Sequence, residues 1–483
     1  MTAPARAVVP GLWTIVGFLI CVELASGVLQ GYYTPIYPQI ADHLAIHEAS
    51  VNWFEAAQLV VSALAVPVLA RLGDVIGHRQ VLLLSTLVTA LASWAVAFSP
   101  NFTTFLIAWA LQGFYVVWLP LEVSIIHRRT AESGQQAVLT RRAAALLVAG
   151  LESGVIVGAL AAGVLVEQVS MTIVLMIPAV AVSLCLLAVW FGVAPTAPEH
   201  AGGRIDWTGF ALVSLAIGVL MGGLILVRLD GPDSFRPWLT IIAGLALFIP
   251  FGRHELRTAQ PLIDVRLLRT PGQWPVQVTA FLFGMSVLGA QIPLSTYAQT
   301  DKAVGYGLGA TSGFVSTLIG VYVICLVIGA LLLPYAARRL GPRGALIVAC
   351  GLVAIGYGLW IPLHDSVVQA LINMGIAGIG SGALVAALPA AAAGAAPPDR
   401  TGFATGMTNT TKTIGGAIAS SIFAIALSAT GSIDTEGNVS APLHGYIVVW
   451  AVCALSAVAA AIALCLVPAS TFRDTSTPQT SQA

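Results

Sequence analysis

Three ionisable residues stand deep inside long apolar stretches of this 483-residue chain. At 1.5 Å of helix rise per residue, Glu23 lies about 16 Å into its run, Glu152 about 14 Å and Lys412 about 15 Å. A charge at the centre of a bilayer costs at least about 2.5–3.5 kcal/mol, so each such residue needs a purpose. A carboxylate that is dry in one conformation and wet in another binds and releases a proton in step with the change. Glu23 ranks first for that role, Glu152 second and Glu122, at the end of its run, third. Lys412 is placed to neutralise one of them. Glu23 is followed by Gly27, Gln30 and Thr34 on one helical face, a stripe suited to a watered cavity. Glu55, Gln58 and Ser62 repeat the pattern, as do Gln112, Tyr115 and Glu122.

Other chemistry has little support. His43 and His47 stand four apart beside Asp42 and Glu48, a spacing that suits a metal but reads here as a solvated loop pair. The six cysteines, at positions 21, 185, 325, 350, 453 and 465, form no CxxC pair, so neither a disulfide framework nor a metal centre follows. There is no HExxH, no GxSxG turn and no phosphate-binding P-loop, hence no candidate enzyme chemistry, no cofactor and no ATP site. Any energy the chain uses is then expected from an ion gradient or from a ligand's own gradient.

The elements that hold these groups follow from composition. Hydrophobic residues make up 58% of the chain and charged ones 9%, against about 25% charged in a soluble domain, and the mean hydropathy is +0.91. The 21 basic and 21 acidic residues cancel and are scattered, which argues against nucleic acid as a partner. A membrane helix needs about 20 apolar residues. Fourteen runs are predicted, at about 12–35, 53–70, 80–98, 103–126, 143–166, 171–193, 207–227, 237–252, 273–298, 311–335, 345–362, 367–391, 402–427 and 443–467. The fold class expected is an all-α integral membrane protein. With alternating sides, seventeen of the 21 basic residues fall on the side of the termini, leaving Arg228, Arg236, Lys302 and Lys412. The bias places both termini in the cytoplasm. No loop has room for a soluble domain.

An internal repeat organises the spans. The break after span 2 reads ARLGDVIGHRQVL (70–82) and the break after span 10 reads AARRLGPRGALI (336–347), with Gly77 and Arg79 matching Gly341 and Arg343. The expected organisation is a six-helix half at 1–193, an inserted helix pair at 194–252 and a second six-helix half at 253–483.

The loop after span 2, with Leu72, Gly73, Asp74, Gly77 and Arg79 in place and Ala70 at the first glycine, resembles the GxLaDrxGrr signature of the major facilitator superfamily. DWTG (206–209), PLIDVRLLR (261–269), Tyr297 with Gln299, and PPDRTGFATGMTNT (397–410) are similar to its fourteen-span drug:proton antiporter branch. The chain departs from the branch at three places. Span 4 keeps Gln112, Gly113 and Pro120 but has Trp109 at the usual arginine. Span 5, GLESGVIVGALAAG, keeps Gly158 and Gly163 but has Ala159 and Ala162 where the antiporter signature has a proline and a glycine. Leu29 stands at the usual span-1 aspartate.

The resemblance implies a central cavity lined by spans 1, 4, 9 and 12 and flanked by 2, 5, 10 and 13. It also implies alternating access, with Gly73, Asp74, Gly77 and Arg79 as gating residues, and a protein that acts as a monomer. Glu23, Gln30, Gln112, Glu122, Glu152 and Lys412 are the expected proton and substrate groups, with Glu55 and Gln58 on the outer side. The expected function is proton-coupled export of amphipathic small molecules, drugs or antibiotics, from a bacterial cell. The altered span-5 signature favours a metabolite importer or uniporter as the alternative. A membrane sensor or enzyme is the reading from another class.

Overall fold

The computed structural model describes residues 12–130, 136–195, 205–397, 400–428 and 441–466. Arg6, Arg204 and Arg473 of the charge count, and Pro398 and Asp399 of the PPDR segment, lie outside the described residues. Among the described residues every regular element is helical, as lipid requires of a chain whose backbone groups must pair within each segment. Twelve helices among the described residues are long and apolar enough to cross a membrane. One of them, Ser312–Leu359, has 48 residues and non-helical backbone at Gly341. At about 72 Å it amounts to two crossings joined end to end.

The first pass is assembled from shorter pieces: α1 (Leu12–Val16), α2 (Leu19–Gly31), a 3-10 turn at Thr34–Ile36 and α3 (Tyr37–His43). Gly17 interrupts it with a left-handed φ of 51°, and Pro35 and Pro38 with missing donors. Splitting the 48-residue helix and adding this broken pass to the twelve gives fourteen passes.

The remaining helices follow in order as α4 (Asn52–Ile76), α5 (His78–Ala97), α6 (Phe102–Gln112), α7 (Trp118–Arg129), α8 (Gln136–Leu165), α9 (Met171–Gly192), α10 (Trp207–Asp230), α11 (Phe235–Arg257), α12 (Val265–Leu268), α13 (Trp274–Val287), α14 (Gln291–Gln299), α15 (Ser312–Leu359), α16 (Val367–Gly394), α17 (Thr401–Ser428) and α18 (Leu443–Leu466). Span 4 is α6 and α7 joined by a 3-10 turn at Gly113–Val117, and span 9 is α13 with α14.

Two cores form, one around Tyr32, Trp109, Trp118 and Val182, the other around Tyr297, Trp360, Phe423 and Trp450. The helix pairings repeat between them. Span 1 packs on span 5 (α2 on α8) as span 9 packs on span 13 (α13 on α17), and span 3 packs on span 6 (α5 on α9) as the second part of α15 packs on α18. The halves meet through span 2 with span 13 (α4 with α17) and span 5 with span 10 (α8 with α15). One pseudo-two-fold exchanges these two seams.

Backbone chemistry shows the same repeat. Gly77 has φ 108° and ψ 134°, and Gly341 has φ 74° and ψ 162°, in a region that side chains disfavour. Two residues on, Arg79 donates to the carbonyl of Trp190 at 2.8 Å and Arg343 donates to that of Cys465. Each arginine therefore sits on the last turn of the sixth helix of its own half, where the helix dipole favours a cation. Close crossings repeat too. A Cβ at Gly27 would stand 2.0 Å from the Leu151 carbonyl oxygen, and one at Gly284 would stand 1.9 Å from that of Lys412. Small residues there let the backbones touch.

The inserted pair α10 and α11 packs outside the span 2–span 13 seam. Val213, Ile217 and Phe251 meet Leu64 and Val68 of α4 and Met407 of α17, while Met221 reaches Trp53 and Ala424. Polar contacts hold it at both ends. Asp206 meets His254 at 2.9 Å, Glu255 accepts from the Ile263 amide at 3.2 Å, Arg400 pairs with Asp264, and Arg228 donates to Ser50 at 3.1 Å. The DWTG and PLID segments thus close the insert's helices and anchor it to α17.

Candidate functional site

Helix α2 turns Glu23 toward span 4, where α7 offers Glu122. Both residues are 0% exposed. Their carboxyl groups lie close enough to act on each other, and none of the four oxygens has a hydrogen-bond partner. Two carboxylates that near each other in a dry site repel, so the pair is stable only while one partner carries a proton. Arg129, at the end of α7, acts on Glu122 through space while its guanidinium donates to the Ile15 carbonyl at 2.6 Å. Tyr115 lies within electrostatic reach of both Glu23 and Glu55. The half-buried Glu55 also acts on Tyr37.

The polar stripes divide. Of the Glu23 face, Gly27 packs against α8, Gln30 is exposed with its amide donating to Ser26 at 3.2 Å, and Thr34 donates to Gln291 at 3.0 Å. Gln112 is buried and donates to both Tyr33 and Ser93 at 3.0 Å, bracing spans 1, 3 and 4. Gln58 is 8% exposed, and Ser62 one turn on donates to the Gly113 carbonyl at 2.9 Å.

Glu152 and Lys412 attract one another without forming a close ion pair. Glu152 faces a cavity of about 320 Å³ between α8 and α15 and acts on Tyr322. The hydroxyls of Tyr322 and Ser381 are buried near each other, neither in hydrogen-bond geometry. Neither residue stood out in the sequence, where a lone hydroxyl in an apolar run carries no signal.

Asp74, Arg79 and the Gly341 loop lie at one end of the bundle, the arginine-rich end. Asp74 stands 3.6 Å from Arg71 and 3.4 Å from His78, and its side chain is 29% exposed. Gly73 packs against His78 and Leu121. The halves are latched at the opposite end. Gln39 donates to Gln299 at 2.8 Å and to Ser312 at 3.1 Å. Gln299 donates to the Pro35 carbonyl at 3.0 Å, and Ser316 donates to that of Ala159 at 2.7 Å. With Thr34–Gln291, these bonds tie the end of span 1 and span 5 to spans 9 and 10. The latch partners lie more than 150 residues apart, so helical periodicity could not pair them. At the arginine-rich end, Arg71 donates to the exposed Gln260 at 3.1 Å.

The chain matches the family model described as Major Facilitator Superfamily over residues 19–420 and 283–482. Its relatives include the tetracenomycin C resistance and export protein of Streptomyces glaucescens, 24% identical over 80% of this chain and 71% of that protein. The cephamycin export protein CmcT of Amycolatopsis lactamdurans is 26% identical over 84% and 82%. The uridine/deoxyuridine transporter of Lactococcus lactis is 25% identical over 54% of this chain, and the match spans 55% of that transporter's length. Among solved structures, the nucleoside transporter NupG superposes with a TM-score of 0.62 at 14% identity, over 96% of this chain and 100% of that one. A POT family peptide transporter superposes with 0.66 at 14% identity, over 96% and 99%. With the family model matched across the described helices and transporters on every side, this chain belongs to the major facilitator superfamily, and it is a multi-pass membrane transporter of small molecules, not an enzyme.

Proposed function

We propose that this protein exports amphipathic small molecules in exchange for protons by alternating access, with the arginine-rich end and both termini in the cytoplasm. The observation that carries the reading is the buried Glu23–Glu122 carboxyl pair. Two like charges in a dry site cannot both stand ionised, so the pair holds a shared proton while closed. Rocking of the halves about the central cavity would wet the pair, release the proton and let the substrate occupy the same space. Arg129 supplies the counter-charge that remains when the proton leaves. The latch then lies on the outer side and breaks in the outward-open state. Drug and antibiotic export by relatives that match most of this chain supports the direction. The Lactococcus relative and the altered span-5 signature favour a second reading, a nucleoside or metabolite carrier.

Everted vesicles with an acid interior separate the two. Addition of amphiphiles should release protons in the wild type, and Glu23→Gln and Glu122→Gln should each abolish the release. Uridine equilibration without proton movement, unaffected by either substitution, would overturn the antiport reading.

A further inference from the structure

The two seams between the halves are related by the pseudo-two-fold but are not treated alike. The span 2–span 13 seam lies under the inserted pair, whose Val213, Ile217 and Met221 fill it from outside. Among the described residues nothing covers the span 5–span 10 seam along its crevice. There Ile324 is 55% exposed, Val327 41% and Ile328 42%, and they form the apolar wall of the cavity of about 320 Å³ that reaches Ala149, Glu152 and Ser153. That volume is at the lower end of the range for small-molecule sites. The Ser153 hydroxyl is already spent on the Ala149 carbonyl at 2.7 Å. Glu152 is therefore the group left to meet a ligand. On the inner side it feels Tyr322, on the crevice's own α15, and Lys412, on α17. The crevice thus joins apolar surroundings to the interior at a single carboxylate.

We infer that the span 5–span 10 crevice is a port from the bilayer to the transport path, taking amphiphiles with an apolar body and a cationic head that pairs with Glu152, while the inserted helix pair seals the equivalent port on the other side. This rests on the amphiphile-export reading above. An apolar body partitions into the membrane before it meets the protein, and the crevice wall continues that environment. The head gains a partner at a depth where an unpaired charge is expensive. A molecule seated there competes with Lys412 for Glu152, which links its arrival to span 13.

The test uses the full-length protein in liposomes with the lipophilic cation tetraphenylphosphonium as probe. Ile324→Trp and Val327→Trp fill the crevice mouth from lipid-exposed positions that a larger side chain can occupy without entering a core. Leu455→Trp, at a 66% exposed position on α18, is the control. The two crevice variants should each slow uptake of the cation about tenfold and the control should not, while Glu152→Gln should weaken its binding by a similar factor, about 1.4 kcal/mol. Wild-type binding and transport that ignore both tryptophans overturn the port and leave the export reading standing. A wild-type protein that neither binds nor moves the cation overturns both.

Discussion

Glu23 and Glu122 come from different helices about a hundred positions apart, and what unites them is the shortage of alternatives. Neither carboxyl has a hydrogen-bond partner, so a proton on one of them is what relieves the repulsion between two like charges in a dry site. Replacing either by glutamine keeps a donor and removes the titrating group, which separates coupling from packing. The expected outcome is folded protein, judged by monodisperse elution, with proton release lost. Outside the membrane segments, His47 gives a pH prediction with a defined sign. Its Nδ1 accepts from the Ala49 amide at 3.0 Å, capping the 3-10 turn that precedes α4. Burial first, and the Arg228 charge second, hold its imidazole below the ordinary 6.5. A group with a depressed folded value contributes stability that is present above its unfolded value and lost as pH falls below it. Protection of the Ala49 amide, taken relative to its intrinsic exchange rate at each pH, should therefore fall as pH drops below about 6.5, and His47→Gln should flatten that dependence. A profile unchanged in the variant would show that the cap does not depend on the imidazole.

At the scale of elements, the repeated loops make a prediction in duplicate. Gly77 and Gly341 both hold left-handed, extended backbone that a side chain enters at a cost of about 1–3 kcal/mol, and both sit two residues before an arginine that caps a sixth helix. Gly77→Val and Gly341→Val should each lower thermal stability, and Arg79→Ala and Arg343→Ala should loosen α9 and α18 respectively. The measurement is protection of the last-turn amides of those helices by hydrogen exchange. Loss confined to the helix in the same half as the substitution is the expected pattern, and spreading to both halves would contradict it. Crossing glycines are less forgiving. Gly284→Leu drives its side chain into the Lys412 backbone, and with overpacking costing about 1–3 kcal/mol or more, the α13–α17 pair should separate and expression should fall.

At the scale of the molecule, the latch sets which end is closed. It consists of neutral hydrogen bonds, each worth about 0.5–1.5 kcal/mol net. Removing Gln39 and Gln299 together should shift the balance toward the other conformation by roughly 5- to 150-fold. Spin labels placed across that end would then report a longer distance. A distance distribution unchanged in the Gln39→Ala, Gln299→Ala double variant would mean that apolar packing, not the latch, holds that end shut.

The amino-acid sequence determined the solvent, the number of crossings and the equivalence of the two glycine–arginine loops. Those properties are local: an apolar run long enough to span lipid must become a helix, whatever surrounds it, and a repeated loop stays legible as a repeat. The sequence also singled out Glu23, Glu122, Glu152 and Lys412, because charge in an apolar run stands out on its own. Which of these meet was decided only by the tertiary structure, since Glu23 finds Glu122 and Glu152 faces Lys412 across distances in sequence that no helical period can bridge. The same holds for Gln112, which the stripe on its helix put toward a cavity and the packing puts between Tyr33 and Ser93. Helical periodicity says which residues share a face. Which neighbour that face receives, another helix's carboxylate, a bare crevice or the inserted pair, is fixed by how fourteen nearly interchangeable apolar rods pack, and that depends on small residues at crossings and on polar contacts formed once the rods are in place.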